Sequence, residues 1–358
     1  MDQQNDAMEM LGLLPCPAFC VRKGVVTNVN RGALSLMIES GMSVKSLLET
    51  GAEEYDALSD GCLYLNLNIS GESVGASVCR MGSYDVFRLE SGADDRELQA
   101  MALAARALRE PLAAIMNTAE QFLPKNQSDK GEAANPHMER LNRSLYQMLR
   151  IISNMSDAGN YISRANCPGE VRDITAVIGD VFTKSAELLT KAGVTLNYAG
   201  IEHAVYGLVN AQWLERAILN ILSNAIKFSG EGSRIDAKLT QKGNKLYLSI
   251  QDSGPGIQHN IKPNIFNCYT RTPTLEEGRY GIGLGMVLVR AAAASHGGTV
   301  LIDQPEGTGT RVTMSIAIRQ APNPSVRSGR LQVDYSGERD HSLLELSDCL
   351  PAFLYENE

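Results

Sequence analysis

The chain has 358 residues with 44% hydrophobic content, enough to bury more than one core, and its length points to two or three domains. A formal net charge of -8 argues against a surface built for nucleic-acid phosphates, so nucleic acid is not an expected partner. No run approaches the roughly 18 consecutive apolar residues of a membrane span, and the polar, acidic start from Met1 to Asp6 is unlike a signal peptide, so the expected location is cytoplasmic. The 7 cysteines, an odd number without a CxxC pair, are expected as reduced thiols, with Cys16 and Cys20 read as packing residues ahead of a shared ligand site.

Between Pro17 and Leu89 strands and turns dominate. Phe19 to Val21 and Val25 to Val29 flank a Lys23-Gly24 turn, and a short helix is expected next. Leu63, Leu65, Leu67 and Ile69 alternate with Tyr64, Asn66 and Asn68, and Ser73 to Arg80 with Tyr84 to Leu89 make a second hairpin around Gly82-Ser83. This pattern predicts a small sheet with one buried face. The period then changes: Leu98, Met101, Ala105, Leu108, Leu112, Ile115, Ala119 and Phe122 recur three and four apart, as do Met138, Leu141, Leu145, Met148, Ile152 and Met155. The polar stretch Pro124 to Pro136 closes these helices into a hairpin. Two such seams leave apolar surface uncovered, which a homodimeric four-helix bundle would bury; a linker packed on its neighbours is the alternative.

From Gly169 to Ile318 the pattern is α/β. Helices are expected over Asp173 to Ala192, Ala211 to Phe228 and Leu284 to Ser295, and strands near Val194 to Tyr198, Ile235 to Thr240 and Leu246 to Ile250, with a final hairpin from Val300 to Ile318. That order predicts a mixed sheet covered on one face by helices. After Arg319 a Pro/Ser/Gly/Arg stretch reads as a linker, followed by a short docking segment from Leu343 to Tyr355 without an assigned role.

Three segments carry candidate chemistry. Asn220, Asn224 and Lys227 fall at i, i+4 and i+7 of one helix, opposite Leu214, Ile218, Ile221, Leu222 and Ala225, and so present two amides and an ammonium together. Amide oxygens suit a hard cation such as magnesium held jointly with phosphates, although a solvated polar face has the same pattern. Asp252 ends a strand and leads into Ser253-Gly254-Pro255-Gly256-Ile257, where a carboxylate can accept from an exocyclic amine and the glycines admit a flat base. Finally, Gly281-Ile282-Gly283-Leu284-Gly285 opens a helix whose free N–H groups can receive phosphate oxygens. The polar loop from Thr270 to Tyr280 stands where a dinucleotide fold needs a strand, which excludes that alternative.

In order and spacing these segments resemble the N box and the two glycine boxes of sensor histidine kinases, within the wider gyrase, chaperone and kinase ATPase superfamily. The resemblance implies ATP and magnesium as cofactors, Asn224 as the magnesium ligand, Asn220 and Lys227 on the phosphate side, and Asp252 on adenine. Gly254, Gly256, Ile257, Gly281, Gly283, Leu284, Gly285 and Thr310 would shape the lid and the nucleotide contacts. Ile265 to Tyr269 resembles the family's phenylalanine box, Gly307 to Thr310 its last glycine turn, and the hairpin-then-helix opening the start of a PAS sensory domain. The implied chain is α+β and multidomain: a PAS-like domain over 1–92, a dimerisation hairpin over 93–160, an α/β sandwich ATP-binding domain over 165–320, and a linker with C-terminal tail over 321–358.

The hairpin departs from the family where the chemistry should be. A typical acceptor segment reads Ser-His-Glu-Leu-Arg-Thr-Pro-Leu, whereas Ala105 to Leu112 reads Ala-Arg-Ala-Leu-Arg-Glu-Pro-Leu. Arg106 replaces the acceptor histidine, Ala107 the adjacent acid and Glu110 the polar residue that assists dephosphorylation. A guanidinium stays protonated and is a poor nucleophile, so autophosphorylation at position 106 is not expected. Two functions therefore stand open: a cytosolic two-component histidine kinase with an unusual acceptor and a response-regulator or other signalling partner, or a pseudokinase that works as an ATP-gated scaffold.

Overall fold

The computed structural model describes residue 11 and residues 14–90, 92–122, 136–162, 169–230, 232–257, 262–266, 283–305, 309–319 and 340–355. The polar stretch over 124–136 except for its last residue, the loop over 270–280, Gly281 and the linker over 321–339 lie outside these residues.

The N-terminal part contains β1 (Ala18–Arg22), β2 (Val25–Val29), α1 (Arg31–Ser35), α2 (Val44–Leu47), α3 (Ala52–Ala57), β3 (Cys62–Ile69), β4 (Glu72–Met81) and β5 (Tyr84–Leu89). The helical hairpin follows as α4 (Gly92–Phe122), which runs through Pro111 without interruption, and α5 (Pro136–Ile162). The α/β part contains β6 (Glu170–Asp173), α6 (Ile174–Lys191), β7 (Thr195–Ala199), β8 (Tyr206–Val209), α7 (Ala211–Ser229), β9 (Arg234–Lys242) and β10 (Lys245–Gln251). It continues with α8 (Gly285–Ser295), β11 (Val300–Asp303) and β12 (Arg311–Ala317). The tail adds α9 (His341–Glu345) and a 3-10 turn, Ala352–Tyr355.

Local chemistry accounts for the helix boundaries near the site. Asp173 accepts the amides of Thr175 (3.0 Å) and Ala176 (3.3 Å) at the start of α6, and Asn210 accepts that of Trp213 (3.1 Å) at the start of α7. At the end of α8, Nδ1 of His296 lies 2.7 Å from Ala292 O while Nε2 accepts the Asn210 amide at 3.1 Å, an arrangement that requires the neutral ring. Burial also holds the His296 pKa below the usual histidine range.

The sheet differs from expectation. The N-terminal strands and the α/β strands form one ten-stranded sheet, in the order β2-β1-β5-β4-β3-β11-β12-β10-β9-β7, antiparallel except for the parallel β7–β9 pair. The join is β3 against β11, with Tyr64 opposite Val300, Leu63 opposite Leu301 and Cys62 opposite Ile302. At its start β3 consequently buries both faces: Cys62 and Tyr64 enter the large core shared with the α/β part, while Leu63 and Leu65 enter the N-terminal core. Ion pairs reinforce the join, Lys245 with Glu54 (2.9 Å), Lys262 with Asp60 (3.0 Å) and Arg290 with Glu90 (3.0 Å).

Candidate nucleotide site

The three segments converge around the end of α7. An ideal Cβ built on Gly285 would lie 3.0 Å from Asn220 Oδ1, so the first turn of α8 sits against the polar face of α7, and Gly283 just before it adopts φ +77°. A Cβ on Gly254 would lie 2.8 Å from the carbonyl oxygen of Phe228, which brings the first glycine segment onto the C-terminal end of the same helix. Ile257 packs half-buried against the core, and Gly256 adopts φ +81° beside Gln304.

Asp252 is held in place by backbone amides. It is 8% exposed, and its Oδ1 accepts the amides of Gly254 (2.8 Å) and Thr310 (3.0 Å), while its own amide donates to Thr310 O (2.9 Å). Oδ2 makes no hydrogen bond among the described residues and can accept from an amine. Burial raises the carboxyl pKa, opposed by the two amides on Oδ1.

The face of α7 differs from the expected arrangement. Asn224 is half-buried and its side-chain amide makes no hydrogen bond among the described residues. Asn220, by contrast, is buried and committed: its Nδ2 donates to Arg216 O (2.9 Å), and its Oδ1 accepts from Arg150 Nη2 (3.4 Å). Lys227 Nζ pairs with Asp348 Oδ2 at 2.7 Å.

The tail therefore reaches the site. Leu343, Leu344, Leu346, Leu350 and Tyr355 are buried in the large core with residues of α5, α6 and α7. Arg150 of α5 donates to Glu345 (3.3 Å), Asp348 (2.5 Å) and Ser223 (3.1 Å), and Arg216 of α7 donates to Glu345 (2.9 Å) and Asn154 (2.7 Å). Arg143 and Gln147 donate to Ser347 O at 3.1 and 3.3 Å, and Asn142 donates to Tyr355 O at 3.0 Å. Burial acts to raise the Asp348 pKa, but Arg150 and Lys227 outweigh it and hold the carboxyl below its ordinary range. These five network residues, Arg150, Arg216, Ser223, Glu345 and Asp348, were not among those singled out from the sequence. The available signal was two acids three apart inside a leucine-rich segment, Leu343 to Leu350.

Arg106 and Glu110 are exposed on α4, one turn apart. Leu98, at the base of α4, packs with Leu284, Val287 and Leu288 at the start of α8. Arg106 lies eight residues further on, about 12 Å along the helix axis. Phe266 of the phenylalanine-box segment is buried, its ring centroid 5.8 Å from that of Tyr64 in the N-terminal sheet.

A family profile described as histidine kinase-, DNA gyrase B- and HSP90-like ATPase matches residues 209–320, which contain every α7, β10 and α8 position named above. Over these residues the chain resembles the histidine kinase-, DNA gyrase B- and HSP90-like ATPases. It is 27% identical over 204 residues to the sensor protein KdpD of Clostridium acetobutylicum, covering 54% of this chain and 21% of that protein. It is 28% identical over 244 residues to the signal transduction histidine-protein kinase/phosphatase MprB of Mycolicibacterium vanbaalenii, covering 66% and 50%. The full-length ShkA structure in complex with AMPPNP has 19% identity and a TM-score of 0.49, covering 63% of this chain and 47% of that one. The chain thus spans at most half the length of these curated relatives. Among the described residues no helix is long and apolar enough to cross a membrane.

Proposed function

We propose that this chain is a two-component signalling protein that binds Mg-ATP in its histidine kinase-type domain, does not autophosphorylate at position 106, and acts as a dimeric scaffold gated by nucleotide. The observation that carries this is the pairing of Lys227 and Arg150 with Asp348. One carboxylate of the tail neutralises the cation assigned to phosphate and ties it to the hairpin helix α5.

The residues present fit the nucleotide. Asn224 offers an uncommitted amide oxygen to magnesium, Oδ2 of Asp252 can accept the adenine amine, and α8 opens at Gly285 against Asn220, where its first-turn amides can receive phosphate. Lys227 can neutralise phosphate only after leaving Asp348. Bound Mg-ATP would supply binding charge and a transferable γ-phosphoryl group. The chain offers that group no nucleophile at position 106, because Arg106 stays protonated. When phosphate replaces the Asp348 carboxylate on Lys227, Asp348 loses one of its two cationic partners, and the tie between α5 and α7 weakens.

Homodimerisation is supported by Leu103, Leu108 and Ile115 of α4 and Leu141 and Met148 of α5, apolar side chains at 41 to 66% exposure on the hairpin. The five-stranded antiparallel run β2-β1-β5-β4-β3 with short helices before β3 supports a PAS-like sensory role for 1–92. A response regulator or another signalling protein is the proposed partner, and the cytoplasm, which supplies ATP, the proposed compartment.

The test is incubation of the full chain with γ-labelled Mg-ATP, alone and with candidate regulators, followed by acid and alkali treatment. Saturable nucleotide binding without acid-labile label is the expected result. Acid-labile, alkali-stable label on this chain would overturn the scaffold and return the protein to the autophosphorylating class.

A further inference from the structure

We infer that Cys62 and Cys79 form an oxidisable dithiol, a modification site at which a hydroperoxide converts two thiols into a cross-strand disulfide.

The geometry begins with strand register. Cys62 of β3 and Cys79 of β4 are direct cross-strand partners. The amide of Arg80 donates to Gly61 O at 3.4 Å, so the hydrogen-bonded pair is the flanking one and Cys62–Cys79 is a non-hydrogen-bonded pair. Such pairs have Cα atoms about 4.5 Å apart, within the roughly 4.4–6.8 Å range that disulfides span. The sulfurs already lie 3.4 Å apart, so a bond forms without strand slippage.

The surroundings favour one sulfur as nucleophile. The single S–H of Cys62 is aimed at both Cys79 Sγ and the Lys262 carbonyl oxygen, 2.9 Å away. The Cys62 thiol is held up by its bond to Cys79 and by burial. Cys79 accepts that hydrogen bond and lies near the Lys262 ammonium, and its thiol is held below the ordinary range against the effect of burial. Cys62 and Cys79 both line a small pocket with Val78, Val86, Pro263 and Phe266, so a peroxide reaches them only as these side chains give way.

In the first step the Cys79 thiolate attacks a peroxide oxygen: the S–O bond forms, the O–O bond breaks, and the leaving oxygen takes a proton to depart as water or an alcohol. The Cys62 sulfur then attacks the sulfenic sulfur, the S–S bond forms, and the S–O bond breaks, releasing water that carries the Cys62 proton. Two thiols give up two electrons and the peroxide is reduced. The product lacks the S–H that holds Lys262 O, so oxidation removes one link between the N-terminal sheet and the 262–266 turn.

The experiment uses the full chain, reduced, treated with a few-fold excess of hydrogen peroxide and then alkylated, with the same chain in denaturant as control. The expected result is a mass loss of about 2 Da per chain before alkylation, a Cys62–Cys79 linked peptide pair after it, and loss of that link in Cys62→Ser and Cys79→Ser. Both thiols remaining alkylatable at a peroxide level that oxidises the denatured control would overturn the inference. So would a disulfide mapped to other cysteines, or Cys79 converted to sulfinic acid without a link. The peptide map of the unsubstituted chain decides even if a serine variant fails to fold.

Discussion

Asp348→Asn is expected to tighten Mg-ATP binding by about tenfold, equivalent to ~1.4 kcal/mol. In the native chain Lys227 reaches phosphate only by giving up a carboxylate at 2.7 Å that also holds Arg150 at 2.5 Å, in surroundings where the side chains are 5 to 11% exposed. Removing the negative charge removes that competition and the repulsion between Asp348 and incoming phosphate. The same substitution lowers the stability of the nucleotide-free chain, because two cations lose a shared partner; nucleotide then restores more stability to the variant than to the native chain. Calorimetric affinity and the thermal shift on adding Mg-ATP read both effects. Unchanged affinity would mean that the tail and the phosphates do not share Lys227. A pH dependence follows with a fixed sign. Asp348 has a depressed pKa in the folded chain, so its contribution is fully present above the unfolded carboxyl value of about 3.9 and is lost as pH falls below it. Tail undocking is therefore expected in acid, not near neutrality.

Glu345→Ala is expected to cost about 3 kcal/mol of stability, a large share of what holds a domain together. Glu345 is fully buried and its two oxygens take one guanidinium each, Arg216 at 2.9 Å and Arg150 at 3.3 Å. Truncation leaves both cations with fewer partners in a site closed to water, although Asp348 still holds Arg150, and Asn154 and Asp157 still hold Arg216. Those remaining bonds place the loss at the low end of the roughly 3–5 kcal/mol range for breaking buried pairs. Urea unfolding followed by the fluorescence of Trp213, the single tryptophan, measures it within α7 itself. A loss below about 1 kcal/mol, the size of a surface pair, would mean that the network does not secure the tail.

Much of the α/β part was legible because its elements are long and strictly periodic. The buried Leu214, Ile218, Ile221 and Leu222 of α7, and the alternation of Leu246, Leu248 and Ile250 in β10, lie where the sequence pattern put them. Asp252 and the glycines that approach it were legible because carboxylates at strand ends and Gly at positive φ carry local meaning. Two features were not. The β3–β11 join depends on which strand edges meet, and backbone edges leave little mark on side-chain pattern; the run Cys62-Leu63-Tyr64-Leu65, apolar at both parities, was its one trace. The commitment of Asn220 was equally hidden, since a helix wheel gives its face but not the back-bond to Arg216 O or an arginine arriving from another helix. Glu345 and Asp348 were not singled out, and nothing in the local sequence names Arg150, Arg216 or Lys227 as their partners.

The most direct measurement is a titration of the full chain with Mg-ATP in which heat and amide hydrogen exchange of residues 340–355 are read on the same samples. One saturable binding event, lost in Asn224→Asp, with exchange of the tail amides rising as the site fills, is the predicted result. Binding that leaves tail protection unchanged, or no binding to the native chain and to Asp348→Asn alike, would contradict nucleotide gating through Lys227.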